Sequence, residues 1–145
     1  MIEQVSVFLE NKSGRLAELA RTLGDAGIDM HALVVADTSD FGVVRIVCDN
    51  PSRAKSLLEE KGFSASVTRV LAVEIPDRPG GLADLLEALD AGGFNVEYAY
   101  AFEEPGTDSA VDVLRVDDPA AEGALVALGF RVLGPADLYS SEAAS

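Results

Sequence analysis

The sequence contains two copies of one unit, and this internal repeat constrains the fold more than any other feature. The turn at residues 11–14 and the turn at residues 77–80 are 66 positions apart (77 minus 11). The same offset relates six identical pairs: Gly14 and Gly80, Leu16 and Leu82, Ala17 and Ala83, Leu19 and Leu85, Leu23 and Leu89, Gly27 and Gly93. Because solenoid repeats run roughly 20–50 residues, a longer period predicts duplicated domains. We expect a first domain at 1–68, a second at 69–140 and a frayed tail at 141–145.

Each copy predicts the element order β-α-β-β-α-β. Val5, Val7 and Leu9 alternate with polar residues, which is typical of a strand with one apolar face. From Leu16 to Leu23 the apolar residues recur at helical spacing. The remaining predicted elements of the first copy are strands at 28–38 and 41–48, a helix from Asn50-Pro51 to Gly62 and a strand at 63–75. Those of the second copy are strands at 71–75, 94–102, 110–116 and 130–133 and helices at 81–91 and 119–128.

This order predicts an α+β fold of two tandem ferredoxin-like βαββαβ units. Residues 64–75 contain no proline, glycine or polar cluster, so no linker separates the copies. Two open sheets joined this closely would have unpaired edges near each other, and pairing them would hide those edges. We therefore expect the units to pack side by side, with one antiparallel sheet and the helices on one face.

The acidic composition argues against nucleic acid and anionic membranes as partners. The chain has 25 acidic and 11 basic residues, and its net charge of −14 repels phosphate groups. The longest apolar runs, such as 70–73, are far shorter than the roughly 20 residues of a membrane span. Residues 1–4 have no basic and apolar leader. We expect a cytoplasmic protein.

The sequence offers little material for catalysis or metal binding. Cys48 is the single cysteine and lies in an apolar run of strand formers, so we expect a buried thiol. His31 is the single histidine, and no further ligands stand at compatible spacing around it. An acylphosphatase-type use of Arg15 and Asn11 around an anion-binding turn is the weaker alternative. We predict no enzyme, no metal and no cofactor.

The two β-α turns are the candidate binding sites. A helix N-terminus presents free N–H groups and partial positive charge, which attract a carboxylate or phosphate. Gly14 and Gly80 allow a ligand to approach the backbone closely. Asn11 and Asp77 could accept hydrogen bonds from an α-ammonium group, so each turn could recognise both ends of a free amino acid. The alternative is that Asn11 and Asp77 order the turn or cap the helix.

The motifs at these turns and strands resemble a known family. Residues 77–82 read Asp-Arg-Pro-Gly-Gly-Leu, and further motifs lie at 36–42, 93–102 and 115–119. Together with the doubled element order they resemble the small tandem ACT-domain proteins over residues 2–139. ACT domains are regulatory modules that bind amino acids or other small molecules, commonly at interfaces between paired domains. The resemblance implies ligand contacts from the first turns and the second strands: Asn11, Ser13, Gly14, Arg15, Leu16, Asp29 and Met30 in the first copy, and Asp77, Pro79, Gly80, Gly81, Leu82, Asn95 and Val96 in the second.

The two copies differ in their site chemistry. The second copy keeps the Asp-x-Pro-Gly-Gly form, whereas the first lacks the proline and has Arg15 in place of the second glycine. Arg15 could contact an acidic ligand or could be a solvated residue at the start of the helix. The second turn is the stronger candidate, and ligand binding by the first copy stays open.

Two functions remain after these exclusions. The first is a regulatory module that binds a small molecule, most simply a free amino acid, and transmits this to a regulated enzyme, with a homodimer as the assembly. The second is an oligomerisation or protein-interaction module without a ligand. Tyr98, Tyr100 and Phe102 alternate on one face of a strand and suit either a subunit interface or a pocket wall.

Overall fold

The structure is a computed structural model that describes residues 1–37, 41–103 and 106–138. The tail at 141–145, for which we predicted fraying, lies outside the described residues. The chain divides into two compact units. The N-terminal unit comprises Glu3–Thr68 with Leu138, and the C-terminal unit comprises Met1–Ile2 with Arg69–Asp137.

The N-terminal unit has the predicted β-α-β-β-α-β order. Its strand order is β2-β3-β1-β4, and β3 pairs antiparallel with both β1 and β2. The Ser6 and Thr68 hydroxyls are hydrogen-bonded at 3.2 Å, where β4 lies beside β1. The elements are β1 (Ile2–Glu10), α1 (Arg15–Asp25), β2 (Met30–Asp37), β3 (Phe41–Cys48), α2 (Pro51–Glu60) and β4 (Ser64–Pro76).

The C-terminal unit repeats this order and uses the second part of β4 as its first strand. Within it, β6 pairs antiparallel with both β4 and β5, and the two-residue β7 pairs with β4 on its other side. Its elements are α3 (Gly81–Ala91), β5 (Val96–Glu103), β6 (Ser109–Val116), α4 (Ala120–Ala127), β7 (Arg131–Val132) and the short α5 (Pro135–Leu138). The predicted strands at 63–75 and 71–75 are therefore one continuous strand.

Each unit has its own apolar core between the sheet and the helices. In the N-terminal unit, Leu19 and Leu23 of α1 and Leu58 of α2 pack with the inward residues of β1 and β3. In the C-terminal unit, Leu85 and Leu89 take the places of Leu19 and Leu23. The predicted fold class is confirmed, and Cys48 is fully buried in the first core as expected.

All four long helices end in the same way, and this shortens four predicted strands. After each helix a glycine adopts a left-handed conformation, with φ between 74° and 92°. The next residue donates its N–H to the carbonyl five residues earlier, at 2.9–3.0 Å. This is the hydrogen bond of a Schellman motif. Four apolar residues predicted to begin strands therefore close helices instead: Ile28, Phe63, Phe94 and Phe130.

The start of α2 follows its sequence signal. Asn50 is the N-cap, Pro51 is the first helical residue, and the Asn50 side chain accepts a hydrogen bond from the N–H of Arg53 at 3.4 Å. Asn50 has a φ of 49°, a conformation that asparagine tolerates better than most residues. Among the described residues, no helix is long and apolar enough to cross a membrane.

Candidate functional site

The N-caps of the two β-α turns have the same backbone conformation. The N-caps Gly14 and Gly80 both have a φ of 88°, which is unfavourable for a residue with a side chain. The hydrogen bonds also correspond. Each glycine carbonyl accepts the N–H four residues on, from Glu18 at 2.9 Å and from Asp84 at 3.0 Å. The duplication therefore preserves the geometry of the turn although the side chains differ.

The start of α3 leaves backbone donors available. Neither N-cap glycine has a side-chain capping bond. In the second turn, the N–H groups of Leu82 and Ala83 have no hydrogen-bond partner in the described part of the chain. The Asp77 carboxylate also lacks a partner there, while the Asp77 N–H donates to the Asp108 carbonyl at 2.7 Å. Two unpaired backbone N–H groups and a carboxylate thus belong to the same turn.

The first turn borders a small cleft of about 120 Å³. It is lined by the end of β1, the turn, the first turn of α1 and the adjoining ends of β2 and β3: Leu9, Glu10, Asn11, Lys12, Leu16, Val35 and Gly42. Lys12 pairs with Glu10 at 2.9 Å, and this pairing lowers the pKa of the Glu10 carboxyl. The turn that departs further from the family pattern therefore has a concave surface beside it.

The second glycine of the C-terminal turn serves packing. Gly81 is buried, and a Cβ placed on it would lie 2.4 Å from the carbonyl oxygen of Pro76. By contrast Asp77, Pro79 and Gly80 are exposed. Leu82 is 45% exposed, which leaves an apolar side chain beside the free N–H groups.

Arg15, at the position of Gly81, is engaged within its own unit. Its guanidinium lies 4.2 Å from the centre of the Phe63 ring and 3.1 Å from the Glu18 carboxylate. Only 25% of the side chain is exposed. The stacking explains how a charged residue is accommodated at this position.

The second-strand positions lie at the other end of each sheet from the turns. Met30 pairs with Cys48, whereas the turn end of β2 pairs with Gly42, which also faces Leu9. Within a unit, Asp29 and Met30 are therefore separated from Asn11 by the length of the strand, and Asn95 and Val96 are separated from Asp77 in the same way. Asn95 lines a cleft of about 410 Å³. The other lining residues are Gly93, Phe94, Glu97, Val116, Asp117 and Asp118.

Two groups were not singled out as sites by the sequence. His31 Nε2 and Asp49 Oδ1 are hydrogen-bonded at 2.8 Å, and the imidazole also lies beside the Asp29 carboxylate. Asp112 is a buried carboxylate in β6. The His31 group could have been found from the predicted hairpin, since Asp29 and Asp49 flank the paired ends of β2 and β3.

Tyr98, Tyr100 and Phe102 are half-buried on one face of β5.

The comparisons with known proteins agree with this geometry. A family model for the ACT domain pair matches residues 1–128. The chain belongs to the ACT domain pair family, and the predicted resemblance is confirmed. The solved structure of protein BT0572 from Bacteroides thetaiotaomicron is 34% identical, with a TM-score of 0.90 and 96% of each chain covered.

More distant structures share the fold. The regulatory subunit of aspartate kinase from Thermus thermophilus, in its ligand-free form, is 18% identical, with a TM-score of 0.67 and coverage of 87% of this chain and 89% of that one. The corresponding subunit from Thermus flavus is 20% identical, with a TM-score of 0.63 and the same coverage. No curated protein matches the chain in sequence.

Proposed function

We propose that this chain is a regulatory module that senses a free amino acid at its β-α turns and transmits binding to a partner enzyme. Membership of the ACT domain pair family supports the regulatory part of the proposal. The chemistry of the second turn supports an amino acid as the ligand. There the free N–H groups of Leu82 and Ala83 suit a carboxylate, and the unpartnered Asp77 carboxylate suits an ammonium group. An α-amino acid has both.

The rest of the site comes from a second copy of the chain in this proposal. Asp29, Met30, Asn95 and Val96 are too far from the turn of their own unit to contact the same small ligand. A homodimer would supply them to the turn of its partner. A ligand that bridges two chains stabilises their pairing, so its binding free energy shifts the equilibrium that a regulated enzyme senses.

The first turn is a second candidate site for the same ligand, with weaker support than the second turn. Gly14 keeps the backbone geometry, and the cleft beside Asn11 and Leu16 could hold one end of a ligand. Ser13 is exposed at the same turn. Arg15 is occupied by Phe63 and Glu18, so we assign it to stabilising the unit.

A thermal-shift screen of the twenty amino acids tests the proposal. A ligand at 100 times its dissociation constant should stabilise the protein by about 2.7 kcal/mol. Asp77→Ala should remove most of the shift without changing the melting temperature of the free protein, because that carboxylate has no partner to lose. Asp90→Ala is the matched control, since it removes another exposed carboxylate at the far end of α3 and should keep the shift.

Two results would contradict the proposal. A shift that survives Asp77→Ala would place the ligand elsewhere. If none of the twenty amino acids gives a shift, the interaction-only function is favoured. Phe8 and Phe41, which are 64% and 53% exposed, offer apolar surface for that second function.

A further inference from the structure

We propose that Asp29, His31 and Asp49 form a binding site for a divalent transition-metal cation, with Zn²⁺ as the representative ion. The His31 imidazole lies between the two carboxylates. Its Nε2 is 2.8 Å from Asp49 Oδ1, and its Nδ1 is 4.0 Å from Asp29 Oδ2. One ligand atom from each of the three residues lies within 4.8 Å of the other two.

Strand pairing holds the three residues together. His31 is in β2, Asp29 directly precedes that strand, and Asp49 directly follows β3. The N–H of Asp49 donates to the carbonyl of Asp29 at 3.1 Å, so the backbones of the two acidic residues are tied to each other. The donors therefore stand on a hydrogen-bonded part of the fold, which favours a precise site.

In the other copy, an arginine instead of a metal balances the acidic charge at the equivalent position. By the register of the strands, Asn95, Glu97 and Asp117 take the places of Asp29, His31 and Asp49. There Arg115 lies 3.8 Å from Glu97 and 3.3 Å from Asp117. The residue equivalent to Arg115 in the N-terminal unit is Val47, which carries no charge. The two copies thus differ in that one has a built-in cation and the other has an imidazole.

The donor set selects the class of metal. One imidazole nitrogen and two carboxylate oxygens suit Zn²⁺ and similar first-row ions better than Mg²⁺ or Ca²⁺, which prefer oxygen ligands alone. Zn–N and Zn–O bonds are about 2.0–2.2 Å long, so ligand atoms of one tetrahedral ion lie roughly 3.4 Å apart. The His31–Asp49 separation of 2.8 Å needs only a small increase to reach this spacing. Asp29 is 76% exposed, so its carboxylate is able to rotate onto the ion.

Isothermal titration of the full chain with ZnCl₂, without any amino acid, tests the site. We expect one saturable site per chain, and no binding of Mg²⁺ under the same conditions. His31→Gln and Asp29→Asn should each weaken Zn²⁺ binding by more than about tenfold. Glu97→Gln is the matched control in the other copy and should leave binding unchanged.

Several outcomes would overturn the proposal. These are the absence of saturable Zn²⁺ binding, unchanged binding in His31→Gln, or equal weakening by Glu97→Gln. Asp29→Asn changes an exposed side chain, so it keeps the test valid if His31→Gln does not fold. A Zn²⁺-dependent shift of the His31 ring resonances in NMR would give direct support. Because no amino acid is present, failure here leaves the proposed amino-acid site untouched.

Discussion

Asp112 occupies in β6 the position that Val44 occupies in β3. Each lies directly opposite the equivalent valine of its unit's first strand, Val73 for Asp112 and Val7 for Val44. Val44 is fully buried and packs in the core of its unit. Asp112 is only 3% exposed, and its Oδ2 has no hydrogen-bond partner in the described residues. The second copy therefore carries a carboxyl group where the first carries an apolar side chain.

Replacing this carboxyl group should stabilise the protein. Burying a polar group without a hydrogen bond costs about 1–3 kcal/mol, and Asp112→Val removes that cost while keeping a side chain of similar size. We expect the free energy of unfolding at pH 7 to rise by about 1–3 kcal/mol. Chemical denaturation measures this change. Val44→Asp is the reciprocal variant and should destabilise the protein.

The same carboxyl group should make stability depend on pH. Burial raises the pKa of Asp112 in the folded protein above its ordinary value. The folded state therefore holds this proton more tightly than the unfolded state does. The stabilisation from the proton is complete below the unfolded pKa of about 3.9 and is lost as the pH rises through the folded pKa. The advantage of Asp112→Val over the natural sequence should grow across this window and then level off. An advantage that is constant from pH 4 to 8 would contradict the prediction.

Gly81 should not tolerate even an alanine. Its Cβ would lie 2.4 Å from the Pro76 carbonyl oxygen, which belongs to the backbone and cannot move freely. We expect Gly81→Ala to destabilise the protein by about 1–3 kcal/mol, as overpacking does. Gly123→Ala is the control, because this helical glycine in α4 has open space around it and should gain about 0.5–1 kcal/mol. Thermal unfolding of both variants distinguishes the two effects.

Cys48 should be inert in the folded protein. Burial, with a smaller contribution from the nearby Asp49 charge, raises the pKa of its thiol to about 12. The thiolate fraction at pH 8 is then more than about a thousandfold below that of a free cysteine, and the side chain is also inaccessible. An aromatic disulfide reagent should label the native protein far more slowly than the denatured protein. Labelling at similar rates would show that Cys48 is reactive.

The repeat and its alternating apolar residues predicted the fold closely. The identity of Gly14 with Gly80 predicted that the two turns correspond, and both glycines have the same left-handed conformation. Two features could not be predicted from the sequence. Arg15 stacks on Phe63, a residue far along the chain whose contact depends on tertiary packing. Asp112 lies between two valines, and the alternation of β6 alone would place it on the solvent face.

The cluster of Asp29, His31 and Asp49 shows a third limit of the sequence. Asp49 is remote from Asp29 in the chain, and the two meet only because β2 and β3 pair in one register, with an irregularity between Met30 and Ala32. The length of a hairpin can be read from a sequence, but such an irregularity cannot. For this reason His31 was expected to have no metal-ligating neighbours.

The C-terminal unit is built from two separate stretches of the chain, and this affects its assembly on the ribosome. Met1 packs against its core, and the Met1 ammonium group pairs with Glu122 of α4. Residues 3–68 are synthesised before residues 69–137, and the chain grows at about 5–20 residues per second. We therefore expect co-translational folding to begin in the N-terminal unit. Met1 and Ile2 join the C-terminal unit only after Glu122 has been added.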